Sequence, residues 1–291
     1  MGRLHLRQIQ YHVAYKKVGE EKFHVIKNNP NSWVADPFLF DYKGEMYVFG
    51  ELWINLKEKG VIAYSKWDGE KFSKWYPVIE ENYHLSYPNI FTYNENIYIC
   101  PESNESNEIY VYKAIEFPHS WEKVHVLVSD GRYVDTTFFK HENKIYGLTY
   151  KLLEGRKNIN GQLHIFKVDN GKAVFLDNNP ISEDDSVARP AGKCIERNNR
   201  KIRVSQNCDG VYGKGLMFSE ISFDGVDYKE RLLREIYPKD IDYNENFHLI
   251  GIHTYNETGN YQVIDLRSYD FSVKLLIWKI INKIRKMIGK G

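Results

Sequence analysis

At 291 residues the chain is long enough for two domains, but no Pro/Gly/Ser-rich linker or low-complexity tract divides it, which points to one all-β globular unit. Its 40 Lys and Arg against 39 Asp and Glu leave a formal charge of +1, which excludes a global electrostatic bias toward nucleic acid. With 22 Tyr and 15 Phe, the chain is rich in side chains that pack well on pleated sheets.

Residues 1–10 are polar and strand-like, and no apolar stretch of signal-peptide length follows Met1, so a cytoplasmic protein is expected. Residues 7–28 hold two apolar runs around a turn near Gly19, the rhythm of an outer β-hairpin. A related pattern then recurs at residues 35–51, 86–102, 134–150, 188–206 and 252–265. Each stretch opens on a polar or aromatic residue with Pro or Thr, runs into apolar residues, turns at a polar cluster and returns through a second strand. The openings, Asp36, Tyr87, Asp135, Arg189 and His253, are separated by 51, 48, 54 and 64 residues, a period in the range of propeller blades. Between them, residues 60–81, 108–130, 162–180 and 214–236 read as outer hairpins, with turns such as Asp68-Gly69, Asn170-Gly171 and Asp224-Gly225. Inner plus outer hairpin makes a four-stranded blade. The fifth inner hairpin has no outer partner after it, and residues 7–28 can supply one. The expectation is an all-β, five-bladed β-propeller over residues 1–272, closed by its N-terminal strands.

Residues 273–291 break the β pattern. Apolar residues recur at three- and four-residue steps, and Lys274, Lys279, Lys283, Arg285, Lys286 and Lys290 are unopposed by acids. This reads as a basic amphipathic helix, too short and charged to span a bilayer. Ile277, Trp278, Ile281 and Ile284 would insert beside the cations into an anionic membrane surface, making the protein peripheral on the inner face; packing on the propeller wall is the alternative.

Cys100, Cys194 and Cys208 form no CxxC pair and read as reduced thiols. Glu183-Asp184-Asp185 has the look of a carboxylate cluster that holds a metal-nucleotide, but reads rather as a solvated loop before the fourth blade. The innermost strand of a propeller blade lines the channel, so Asp36, Tyr87, Asp135, Arg189 and His253 should gather at one mouth. Glu51, Glu102 and Gln206 should arrive from the neighbouring strands. Carboxylates facing one pocket suit glycosyl transfer, one deprotonating a hydroxyl and another steadying an oxocarbenium-like transition state. Arg189 and His253 would neutralise a departing phosphate.

The motifs Trp33-Val34-Ala35-Asp36-Pro37-Phe38, Gly50-Glu51, Leu85-Ser86-Tyr87-Pro88, Pro101-Glu102-Ser103, Val134-Asp135-Thr136-Thr137 and Ala188-Arg189-Pro190-Ala191-Gly192 resemble, in order, the N-terminal propeller domain of plant glucosamine inositolphosphorylceramide transferases and its stand-alone bacterial relatives. That domain is similar in fold to the five-bladed propellers of family 43 glycoside hydrolases. The resemblance implies a base at Asp36, an acid at Glu102 and a third carboxylate at Asp135. Glu51, Tyr87, Arg189, Gln206 and His253 would bind substrate. The second blade departs from the hydrolase pattern, opening on Tyr87 where those enzymes commonly carry an acid. The expected function is a glycosyltransferase that takes an activated sugar donor, of nucleotide-sugar type, to a lipid-linked or cell-surface glycan acceptor. A glycosidase or phosphorylase using the same carboxylates and a non-catalytic glycan-binding module are the alternatives. No Gly-rich βαβ unit is present, no metal ligands are assigned, and no cofactor is identified.

Overall fold

A computed structural model describes residues 8–154, 159–270 and 277. It is a five-bladed β-propeller. The first blade comprises Ser32–Tyr42, Glu45–Ile54, Lys59–Lys66 and Tyr76–Ile79; the second, Ser86–Tyr93, Asn96–Glu102, Ile109–Glu116 and Ser120–Val128. The third holds Tyr133–His141, Lys144–Lys151, Gln162–Asp169 and Lys172–Phe175. All are antiparallel, each strand pairing with the next in sequence.

In the last two blades the inner edge is broken. Arg189–Pro190 and Ile195–Arg197 both pair with Arg200–Asn207, which continues to Gly215–Phe223 and Tyr228–Ile236. In the fifth blade Leu249–Gly251 and Tyr255–Thr258 both pair with Tyr261–Asp270. That strand then pairs along its whole length with Gln8–Lys17, from Gln8 opposite Asp270 to Lys17 opposite Tyr261, and His24–Val25 adds the outer edge. The first strand of the chain therefore closes the ring, so the fifth sheet leaves no long bare edge at the seam.

The core is divided among the blade interfaces, because each sheet buries its faces against its neighbours. Phe38, Phe49, Leu85 and Ile90 fill the space between blades one and two; Val13, Val34, Val48 and Val263 fill that between five and one. Comparable clusters centre on Leu216, Ile252 and Ile264, on Leu148, Tyr150 and Ile165, and on Ile109, Tyr133 and Phe166. The three cysteines are free. The amphipathic helix expected over residues 273–291 lies outside the described residues, as do all its named side chains except Ile277, which is exposed.

Candidate active site

One local device, used three times, positions the site. Asp36, Tyr87 and Asp135 have left-handed backbone, with φ of 50°, 44° and 53°. Each lies at a β-bulge, where the register slips between Ala35 and Phe38, Ser86 and Asn89, and Val134 and Thr137. A bulge adds a residue to one strand and re-aims its side chain, while left-handed backbone at a residue with a Cβ costs on the order of 1–3 kcal/mol. Part of that cost is offset by hydrogen bonds between blades. The Asp36 amide donates to Asp265 Oδ2 of blade five at 3.1 Å, and the Tyr87 amide donates to Asp36 Oδ2 of blade one at 3.2 Å.

Arg189 is not the fourth member of this series. It pairs directly with Gln206, so its register equivalents are Ala35, Ser86 and Val134, the residues before each bulge. His253 falls in the break of the fifth inner strand. There the Asp265 carboxylate takes the place of a strand partner, Oδ1 accepting from the amides of His253 at 2.9 Å and Thr254 at 3.1 Å.

Asp36, His253 and Asp265 form one buried group. Nδ1 of His253 lies 2.5 Å from Asp265 Oδ2, and Nε2 lies 3.5 Å from Asp36 Oδ1, which also accepts the Thr254 hydroxyl at 2.6 Å. Burial alone would lower the imidazole pKa, but the two carboxylates outweigh it and hold it above its ordinary value. Burial pushes Asp36 up, against the pull of that imidazole and of its Thr254 and Tyr87 bonds. Among the described residues these three side chains are also the group whose donor atoms converge enough for a metal ion, all within 4.8 Å.

Glu51, opposite Ala35 in the ladder, is the least committed carboxyl of the site. It accepts no hydrogen bond from any described residue, and its nearest charged partner is His84 Nε2 at 3.7 Å. Neither oxygen is sealed from water. Burial, then the charges of Asp36 and Glu102, lift it well above the usual carboxylate range. Glu102 is held differently: Oε2 accepts the Ser86 hydroxyl at 2.6 Å and Oε1 the Asn104 amide at 2.7 Å.

Between blades three and four Arg189 Nε donates to Asp135 Oδ2 at 2.5 Å, and Gln206 reaches the same oxygen at 3.4 Å. The guanidinium lies 4.9 Å from the ring centroid of Tyr212 and 5.5 Å from that of Tyr150. Burial lifts Asp135 to about 6 despite Arg189.

Tyr87 is turned to the axis. Its hydroxyl bonds the Thr137 hydroxyl at 2.8 Å, accepts the Gly192 amide at 2.6 Å and donates to the Gly192 carbonyl at 3.2 Å, joining blade two to blades three and four. Lys193 of blade four donates across the ring to the Leu39 carbonyl of blade one at 2.8 Å. Gly192 (φ +143°) permits this crossing, since a Cβ there would meet the Tyr255 carbonyl oxygen at 2.0 Å. The acidic run builds its own loop: Asp184 accepts the Ser186 amide and Asp185 the Asn160 amide and Tyr150 hydroxyl.

Sequence reading missed Asp265, Thr254, Tyr11 and Tyr212. Asp265 had a signal, since it ends the fifth inner hairpin as Glu51 and Glu102 end the first and second. Tyr11, stacked on His253 at 4.9 Å, had none, because it reaches the site from the strand that closes the ring.

The class is a five-bladed β-propeller with carboxylates of several blades near its axis, a fold shared with glycoside hydrolases of known structure. Similar solved structures include the catalytic domain of a Coprinopsis cinerea family 62 α-L-arabinofuranosidase, at 12% identity and a TM-score of 0.60 over 90% of this chain and 98% of that one. A thermostable family 43 glycoside hydrolase is similar at 12% identity, with a TM-score of 0.58 over 84% and 92%. At such identities the likeness is one of fold.

The family model described as glucosamine inositolphosphorylceramide transferase 1, N-terminal, matches residues 22–279, and the chain belongs to that family. It is 32% identical over 201 residues to glucosamine inositolphosphorylceramide transferase 1 of Arabidopsis thaliana, covering 66% of this chain and 26% of that protein. It is 27% identical over 208 residues to the protein of the same name from Oryza sativa subsp. japonica, covering 69% and 28%. The match thus spans about a quarter of these curated relatives.

Proposed function

We propose that the propeller is a glycosyltransferase that moves a sugar from a phosphate-activated donor to a hydroxyl of a lipid-linked acceptor, the inositolphosphorylceramide of the relatives' name setting the acceptor class. The observation that carries this reading is the unlike chemistry of the two walls. Glu51 stands uncommitted beside Asp36 on one side, while the other presents an arginine braced by Asp135 and two tyrosine rings.

Glu51, rather than Asp36, is the proton acceptor in this scheme. A base needs a pKa near the working pH and a free lone pair, and Glu51 has a raised pKa and no hydrogen bond to lose. It takes the acceptor hydroxyl proton as the oxygen attacks the anomeric carbon. The bond from that carbon to the phosphate oxygen breaks, and the phosphate leaves with the electron pair toward Arg189. Asp36, fixed by Thr254 and the Tyr87 amide, faces the positive charge developing on the sugar ring. Glu102, with both oxygens occupied, is ill placed to protonate a leaving group. A phosphate needs no such acid. The basic segment 273–291 would keep this chemistry at an anionic cytoplasmic membrane surface.

Transfer from nucleotide-sugar donors to an inositol-phosphate lipid tests the reading. Arg189→Ala is expected to lower kcat on the order of a hundredfold or more, as loss of a charge-stabilising donor does elsewhere. Efficient cleavage of aryl glycosides by the purified protein, with no phosphorylated donor, would replace this reading with a hydrolytic one.

A further inference from the structure

An arc of aromatic rings borders the acidic wall and plays no part in the steps above. His253 stacks on Tyr11 with centroids 4.9 Å apart; Tyr11 meets Trp33 at 5.0 Å; Trp33 lies nearly parallel to Trp53 at 5.3 Å and 7°; and Trp53 meets His84 at 5.7 Å. The two ends of the arc are the two histidines beside carboxylates, His253 on Asp36 and His84 on Glu51. Trp33 and Trp53 face each other across the first hairpin of blade one, and Glu51 shares a strand face with Trp53 two residues away. The arc is thus built into the strands that carry the proposed base.

Three features depart from ordinary core packing. Trp33, Trp53 and His84 are only half-buried, unlike Trp75 on the same blade, which is enclosed. Neither Trp33 nor Trp53 gives its indole N–H to an acceptor among the described residues, and neither nitrogen is sealed from water, so two donors stand available at the rim. The neighbourhood also carries charges of both signs: Tyr11, in mid-arc, feels Arg267 first and then Asp265, Glu51 and Asp36. An uncharged ring with C–H groups and hydroxyls meets apolar ring surface, unfilled N–H donors and carboxylate acceptors together here.

We propose that the Trp33–Trp53 rim is the binding site for a neutral polyol ring, a pyranose or a cyclitol, which it holds with one hydroxyl toward Glu51. This deepens the transferase reading and rests on it for calling that ring the acceptor. It assigns the two walls separate tasks, polyol on blade one and leaving phosphate on blade four.

The test is equilibrium binding without donor or turnover, read by indole fluorescence of the full chain titrated with methyl β-glucoside and, separately, myo-inositol. A saturable change with one of them is expected, and the probe that gives it identifies the ring. Trp53→Ala should weaken that binding about tenfold or more, since a ring contact and a donor are both lost. Trp33→Phe, which keeps a ring but deletes the N–H, should fall between the two. Trp53→Phe serves if the alanine variant does not fold, as judged by its melting curve, and should also weaken binding. Failure of both probes to saturate, or affinity within about twofold of the parent in folded Trp53 variants, overturns the proposal. Tryptophan-dependent binding in a protein that transfers no sugar would sink the transferase reading and leave this site standing.

Discussion

At Glu51 stability and proposed function pull in opposite directions. Its pKa is raised in the folded chain by burial and by the charges of Asp36 and Glu102. Below about pH 4 the carboxyl is protonated in both folded and unfolded chains and exerts no pull. As the pH rises the unfolded chain releases this proton while the native one retains it, so the native state loses stability with increasing pH. Glu51→Gln removes the penalty. The variant should melt higher than the parent at neutral pH by on the order of 1 kcal/mol, about 2–4 °C, match it near pH 4, and fail to transfer sugar. A variant that melts lower at pH 7, or retains turnover, would show that Glu51 is a structural partner of His84. The carboxylates themselves were legible in the sequence, because Asp36, Glu51, Glu102 and Asp135 stand at repeated positions. Their commitments were not. Which carboxyl is tied down by Thr254, Ser86 or Arg189 depends on contacts between residues remote in sequence, and no local pattern encodes them.

Among elements, the hairpins could be read from alternation and turn residues, and so could closure, since one outer hairpin was missing at the end and one was spare at the start. Register was harder. Arg189 looked equivalent to Asp36, but blade four has no bulge at that point, and a one-residue offset moves a residue out of the repeat position. The 64-residue interval before His253 also has a concrete origin: a connector containing the short turn Pro238–Asp240 precedes the broken inner strand. The closing strand Gln8–Lys17 contributes Val13 and Ala14 to two different blade interfaces and lends Tyr11 to the site. Deleting residues 1–17 should therefore do more than fray an end. It bares the edge of Tyr261–Asp270, and loss of a cooperative melting transition with self-association in light scattering is the expected result. A monomer with an unchanged melting temperature would contradict the role given to that strand.

For the molecule as a whole, a formal charge of +1 conceals an uneven distribution, because residues 273–291 carry six Lys and Arg and no acid. Near an anionic surface each such residue contributes about 1 kcal/mol of attraction. Truncation after residue 272 should release the protein from vesicles containing anionic lipid at moderate salt while its melting curve stays unchanged. Co-sedimentation that survives the truncation would assign the segment another task.

The crossing of the axis has a kinetic consequence. Tyr87 tied to Gly192, and Lys193 tied to Leu39, cross the centre of the ring, which would make it a cup with one opening rather than a tunnel. Two substrates served by one opening must queue, and the one lying deeper has to arrive first and depart last. If the donor phosphate takes the Arg189 side at depth and the polyol waits at the tryptophan rim, the nucleotide product is trapped until the glycosylated lipid has gone. The nucleotide should then inhibit competitively against the donor and noncompetitively against the acceptor. Competitive inhibition against both would mean that the queue does not form.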